Sequence, residues 1–176
     1  RSRQLRLFKF NNQLTCGGAI QKSHPKTKRP FKRNQPIHII LKSKWAVGSR
    51  SMLNFRNRKS VDSYVYKMGA RFGVRIENYV NVGNHLHIMA KSSNRRLLSR
   101  YLKAISGRIA RICLNAERGR PSSLKENFWQ ARPFTRVVMG WRGVQILNRY
   151  FIKNRLQAIG FEFVLTDESL AVVNTS

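Results

Sequence analysis

The sequence predicts an α+β fold: a ferredoxin-like (split βαβ) antiparallel sheet with helices on one face and an additional C-terminal helix. Three observations predict it. Apolar and β-branched residues fill or alternate along short runs at 36–45, 74–82 and 85–92, as strands require. Apolar residues recur at steps of three and four in three longer stretches, as helices require. Turn residues then divide these runs into the order strand, helix, strand, strand, helix, strand, helix, whose first six members are the split βαβ unit.

Residues 1–35 are basic and broken by Gly17, Gly18, Pro25 and Pro30, the composition of a flexible arm able to touch phosphate. "PIHIILKSKW" (36–45) reads as the first strand. After a turn near Gly48, "SVDSYVYKMGARFG" carries Val61, Tyr64, Val65 and Met68 at helical spacing and stops at Gly69 or Gly73. "VRIENYVNV" (74–82) alternates as the second strand. Gly83-Asn84 offers a hairpin turn, and "HLHIMAKS" returns as the third strand.

Ser93 or Asn94 caps the next helix, whose core stripe is Leu98, Tyr101, Leu102, Ile105, Ile109 and Ile112. Arg96, Arg100, Lys103 and Arg111 form a basic stripe on another face. "FWQARPFTRVVM" reads as a fourth strand interrupted at Pro133. Gly140 or Gly143 introduces the last helix, "VQILNRYFIKNRLQAIG", which ends at Gly160. Its apolar stripe (Val144, Leu147, Phe151, Ile159) is expected to dock on the sheet, with Tyr150 and Asn154 at the stripe's edge and Arg142, Arg149 and Lys153 as a basic ridge beyond. The chain thus divides into an arm (1–35), one domain (36–163) and a C-terminal tail (164–176).

The charge balance narrows the function. With 35 Lys+Arg against 7 Asp+Glu, the chain carries a formal charge of +28 and seeks polyanions. Nucleic acid is the expected partner, because each neutralised phosphate releases counterions. The basic residues are spread along the whole chain, which fits a membrane surface less well. Hydrophobic residues make up 41% of the chain, enough for a packed core and too many for a disordered polycation. Cys16 and Cys113 form neither a metal spacing nor a disulfide framework, and no apolar run approaches a membrane span, so a cytoplasmic, nucleoid-associated location is expected. The seven carboxylates are scattered without a pair at motif spacing, which disfavours a two-metal nuclease.

Four histidines are present, and two of them flank one leucine: His85-Leu86-His87. On a strand, residues i and i+2 share a face, so both rings point the same way. Scattered histidines would give such a pair by chance in only about 3% of cases, so ligation is favoured over two imidazoles merely packed on a sheet. Two imidazoles side by side are half of a metal site. Tyr150 and Asn154, one helical turn apart, share a face of the last helix. By helix geometry alone, Tyr150 reads sooner as a boundary aromatic with a buried ring and a wet hydroxyl, and its arrangement with the histidines reverses that preference.

Taken together, these residues resemble the single-tyrosine HUH endonucleases, named for His-hydrophobic-His, and more closely are similar to the REP-associated tyrosine transposases of bacteria, relatives of the IS200-like transposases. "NHLHIMAK" stands where that family has its histidine strand, "FWQARPF" resembles its Trp-Gln-x-Arg segment, and "NRYFIKN" resembles its tyrosine helix. The resemblance spans roughly residues 36–163, the run of predicted elements. It implies Tyr150 as nucleophile, His85, His87 and Asn154 as ligands of Mg²⁺ or Mn²⁺, and a single-stranded or hairpin DNA substrate. The sequence departs from the family at Arg149, where an acidic residue is common, and at Asn154-Arg155, where Asn-Pro is common.

The implied chemistry is DNA transesterification through a 5′-phosphotyrosine intermediate, by a monomer or homodimer with no small-molecule cofactor. Arg96, Arg100, Lys103, Arg142, Arg149 and Lys153 are the expected phosphate contacts, which position a strand without reading its sequence. The alternatives are a structural nucleic-acid-binding protein, such as a ribosomal component, and a domesticated hairpin binder that has lost efficient cleavage. The set His85, His87, Tyr150 and Asn154 separates the enzyme from a plain RNA platform, which requires none of them.

Overall fold

The computed structural model describes residues 14–18, 28–116 and 124–160, together with the backbone of 162–166 and 169–173. In chain order the elements are β1 (Thr15–Cys16), β2 (Ile37–Lys42), α1 (Phe55–Arg71), β3 (Val74–Asn81), β4 (His85–Ser92), α2 (Arg95–Cys113), β5 (Phe134–Val137), α3 (Gly140–Ala158), β6 (Glu162–Thr166) and β7 (Ser169–Val173).

The main sheet is antiparallel throughout, in the order β1-β5-β2-β4-β3. Its four strands β5-β2-β4-β3 are the split βαβ sheet expected from the sequence. β1 adds a fifth strand at the β5 edge from within the basic N-terminal segment. β6 and β7 pair separately as a two-stranded sheet, so the expected boundary at residue 163 falls inside β6.

Alternation sorts β2 and β4 into two faces. Ile37, Ile39 and Leu41 on β2, with Leu86, Ile88 and Ala90 on β4, are buried against Val61, Val65 and Met68 of α1 and Leu98, Tyr101, Leu102, Ile105 and Ile109 of α2. Burying each large aliphatic side chain contributes roughly 1.5–3 kcal/mol, so this cluster dominates the fold. The opposite face of the same strands carries His38, Lys42, His85, His87 and Met89. The register pairs His38 with Met89, Ile40 with His87 and Lys42 with His85. There α3 docks, through Leu147 and Phe151 against Val80, Met89 and Val138.

Both early helices have the caps their sequences offer. The Asn94 side chain accepts from the backbone N–H groups of Arg96 (2.7 Å) and Leu97 (3.3 Å), making it the cap of α2. The Asn54 side chain accepts from Arg56 N–H at 3.1 Å, so α1 starts five residues before the apolar spacing suggests. Residues 55–59 (FRNRK) carry no apolar periodicity to mark that start.

Two expectations are corrected. The fourth strand is only Phe134–Val137, because Pro133 has no N–H to give a ladder and Trp129 is drawn off the sheet to α2, where its indole N–H donates to the Ser106 carbonyl at 2.9 Å. Ile159 is 66% exposed and lies just past the end of α3, so the docking stripe ends at Phe151 and Asn154.

Candidate functional site

The β3–β4 hairpin sets the position of His85 and His87. The Asn81 amide donates to the Met52 carbonyl (2.9 Å) and to Asp62 (3.2 Å), while its oxygen accepts from Gly83 N–H (3.0 Å). Tyr79 O–H donates to the same Asp62 carboxylate at 2.7 Å. Gly83 adopts φ +90°, and a Cβ there would stand 2.9 Å from the Ser51 hydroxyl, so both the turn and the close approach need glycine. The turn delivers Asn84, whose side-chain oxygen meets the Nδ1 of His85.

Beyond the turn, His85 and His87 present their rings 4.7 Å apart, nearly perpendicular. A third histidine joins them from β2. His38 stacks on His87 at 5.4 Å, with its Nε2 3.2 Å from His87 Nδ1. The sequence reading did not single out His38. The signal was parity: it alternates with the core residues Ile37 and Ile39, so it faces away from α1 and α2, and β2 lies beside β4 in the predicted sheet.

From above, α3 brings Tyr150, whose ring is 5.1 Å from His87 and 5.8 Å from His38, edge-on to the former. Asn154 is buried at 4% exposure, and its amide donates to the Tyr150 carbonyl at 2.7 Å. Hydrogen bonding from its side chain also reaches His85 and the Tyr150 phenol. The four residues expected to act together do come together.

Electrostatics leave the cluster uncharged. Burial, then Arg136, pushes His38 down to about 3. His87 is held well below the usual histidine range by burial, then by His38 and His85. His85 is lowered by burial and by Lys42, with the Asn154 hydrogen bond pulling the other way. Burial raises Tyr150 above the ordinary phenol value, offset in part by Asn154. Neutral imidazole is the form that ligates metal.

The donor set fits a divalent cation on one particular ground. His87 Nε2 is a buried nitrogen with no hydrogen-bond partner. With its proton on Nδ1, facing His38 Nε2, His87 keeps an Nε2 lone pair free for an ion. Among the described residues no three His, Cys, Asp or Glu side chains gather as metal ligands, and the side chain that stands beside His85 is the Asn154 amide.

The basic residues divide between two faces. Arg142 and Arg149 are exposed and Lys153 half-buried on α3, the helix that covers the histidines. Arg96, Arg100 and Lys103 are exposed on α2, across the sheet from them. The structure therefore does not bring the α2 stripe to the histidine cluster. Lys42 and Arg136, on the histidine face, are the cations whose charge His85 and His38 feel.

No family model matches the chain, and no curated protein matches it. Among solved structures, it is similar to a REP-associated tyrosine transposase bound to a REP hairpin, at 13% identity and a TM-score of 0.54 over 77% of this chain and 73% of the other. A candidate transposase from Deinococcus radiodurans R1 aligns at 14% identity and a TM-score of 0.44, over 74% of this chain and 98% of that one. At the identity of the first, the likeness is one of fold. No helix among the described residues is long and apolar enough to cross a membrane.

Proposed function

We propose that this chain is a metal-dependent, transposase-like endonuclease and strand transferase that acts on single-stranded DNA at hairpins through a 5′-phosphotyrosine intermediate. One observation carries the reading: the Tyr150 ring lies 5.1 Å from His87, whose Nε2 is buried and unpartnered. A buried polar nitrogen left without a partner costs about 1–3 kcal/mol, a cost a ligand removes. His85, His87 and Asn154 would hold Mg²⁺ or Mn²⁺, which supplies Lewis-acid polarisation of the scissile phosphate.

The chain's own residues do the rest. Tyr150 Oη attacks phosphorus; the new O–P bond forms as the bond to the 3′-oxygen breaks, and that oxygen leaves as a 3′-hydroxyl after taking a proton from solvent. The phenol gives up its own proton to solvent as it attacks, a loss that burial opposes and the Asn154 hydrogen bond favours. Asn154 links Tyr150 to His85, so nucleophile and ligand keep one relative placement. Arg142, Arg149 and Lys153 on the same helix offer cations to the flanking phosphates. Attack of a 3′-hydroxyl on the phosphotyrosine reverses the step and joins strands without a nucleotide cofactor.

The test is a cleavage assay with Mn²⁺ on a labelled library of single-stranded hairpins, wild type against Tyr150→Phe. The expected result is a covalent protein–DNA band in the wild type alone. Tight binding with no adduct for any divalent metal would replace the enzyme with a nucleic-acid-binding protein.

A further inference from the structure

We propose that a basic cavity of about 540 Å³, between α2 and the segments flanking the β1–β5 edge, binds a phosphate group, either a backbone phosphate of nucleic acid or free phosphate. The cavity is lined by Lys28 and Arg29 before β2, Arg95, Ser99 and Lys103 on α2, and Arg132 just before β5. It lies on the α2 side of the sheet, away from the histidines, and is distinct from their site.

Five cations line one cavity, and among the described residues no ion pair to a carboxylate reaches any of them. Among the residues whose side chains are described the carboxylates are Asp62, Glu77 and Glu126, and each is committed elsewhere. Asp62 holds Tyr79 and Asn81, Glu77 pairs with Arg75 and Lys91, and Glu126 pairs with Lys44. Arg29 is fixed through Nη1, which donates to the Pro133 carbonyl at 3.0 Å and to the Thr135 hydroxyl. Those acceptors are neutral oxygens, which bring no full counter-charge. Burial works against that charge most, Cys16 favours it, and the neighbouring Arg132 guanidinium opposes it. An anion in the cavity would relieve every one of these repulsions at once.

The pocket also accounts for a motif the catalytic reading leaves unused. The Trp-Gln-x-Arg segment is anchored at both ends of its first half: Trp129 donates to Ser106 O (2.9 Å) and Gln130 N–H to Lys42 O (3.0 Å). That double anchoring places Arg132 at the cavity. Arginine and serine at one site offer the donors that phosphate oxygens accept.

The experiment compares wild type, the pocket variant Lys103→Gln/Arg132→Gln, and the control variant Arg108→Gln/Arg111→Gln, which removes two exposed charges of α2 that do not line the cavity. All four side chains are exposed, so both variants keep their core. Melting is followed in inorganic phosphate against chloride at equal ionic strength. Phosphate is expected to raise the melting temperature of wild type and control and to leave the pocket variant unmoved. Equal stabilisation of all three proteins, or of none, overturns the proposal.

The source of the phosphate is read from nucleic-acid binding at several salt concentrations. If the pocket holds a strand, the salt slope of its variant falls by about one more than that of the control. If the phosphate is free, the two slopes match. Neither readout needs a metal or a cleavage event, so the outcome is independent of the Tyr150 adduct.

Discussion

His38 Nε2 stands 3.2 Å from His87 Nδ1, with the two rings stacked at 5.4 Å. The contact joins the first strand of the domain to the third and engages Nδ1 of His87, leaving Nε2 as its nitrogen without a hydrogen-bond partner. A partner of this kind orients a ligating imidazole and fixes its tautomer. His38→Phe is therefore expected to weaken Mn²⁺ binding about 10–100-fold by calorimetry while leaving His85 and His87 in place. Unchanged affinity would show that His87 needs no such partner.

The same histidine makes stability depend on pH. Its folded value of about 3 lies below the ordinary 6.5, so the folded state keeps it neutral while the unfolded chain protonates it. Stability from this group is complete above about pH 6.5 and is lost as pH falls from there toward 3, at ~1.4 kcal/mol per unit. His85 and His87 shift in the same direction. Urea unfolding in EDTA at pH 7 and pH 5 should show wild type losing roughly 2 kcal/mol more than His38→Gln. Equal losses would remove His38 as the titrating group.

The sequence was most legible where a period and a terminator agreed. The α2 stripe from Leu98 to Ile109, its Asn94 cap, and the β3–turn–β4 hairpin through Gly83 all lie where residue spacing puts them. The start of α1 was not legible, because a cap and a polar first turn carry no periodic signal. Residues 128–133 were misread as strand because Phe, Trp and Pro133 compose a strand-like run, while the force on them is tertiary: the pull of Ser106 on Trp129. In the site, His85 and His87 could be named from local spacing, and Tyr150 and Asn154 from their shared helix face together with the family resemblance of their segment. His38 could not, since its partner lies 49 residues away and only sheet order joins them. The two-faced distribution of the basic residues likewise depends on which side of the sheet each helix packs.

Leu86, between the two histidines, is wholly buried on the opposite face, against α1 and α2. Leu86→Ala should cost about 2–5 kcal/mol in denaturant unfolding. Ile152, half exposed on α3, should change stability by less than about 0.5 kcal/mol when cut to alanine. Similar costs at the two positions would contradict the division of core and surface.

Trp129→Phe removes the indole N–H that reaches the Ser106 carbonyl and keeps most of the ring contact. A loss of about 1 kcal/mol is expected in equilibrium unfolding. No measurable change would mean that this bond does not hold residues 128–133 to α2.

Cys113 is buried at 3% exposure, and burial pushes its thiol up to about 12. Thiolate is the reactive form, so iodoacetamide at pH 8 should leave Cys113 unmodified in the native protein and label it after denaturation, as read by peptide mass. Rapid native labelling would place Cys113 outside the core.

Strand order has a further consequence for the timing of synthesis. β2 and β4 can pair once residue 92 has emerged from the ribosome, so the contact between His38 and His87 is available early. The other edge of β2 has no partner until β5 is complete at Val137, 45 residues after the end of β4 at Ser92. At roughly 5–20 residues per second that edge stays open for about 2–9 s. An open edge of Ile-rich strand is a template for pairing with a neighbouring nascent chain. The interval between β4 and β5 is therefore when this protein most needs a chaperone, and slow codons placed between residues 92 and 134 would lengthen it.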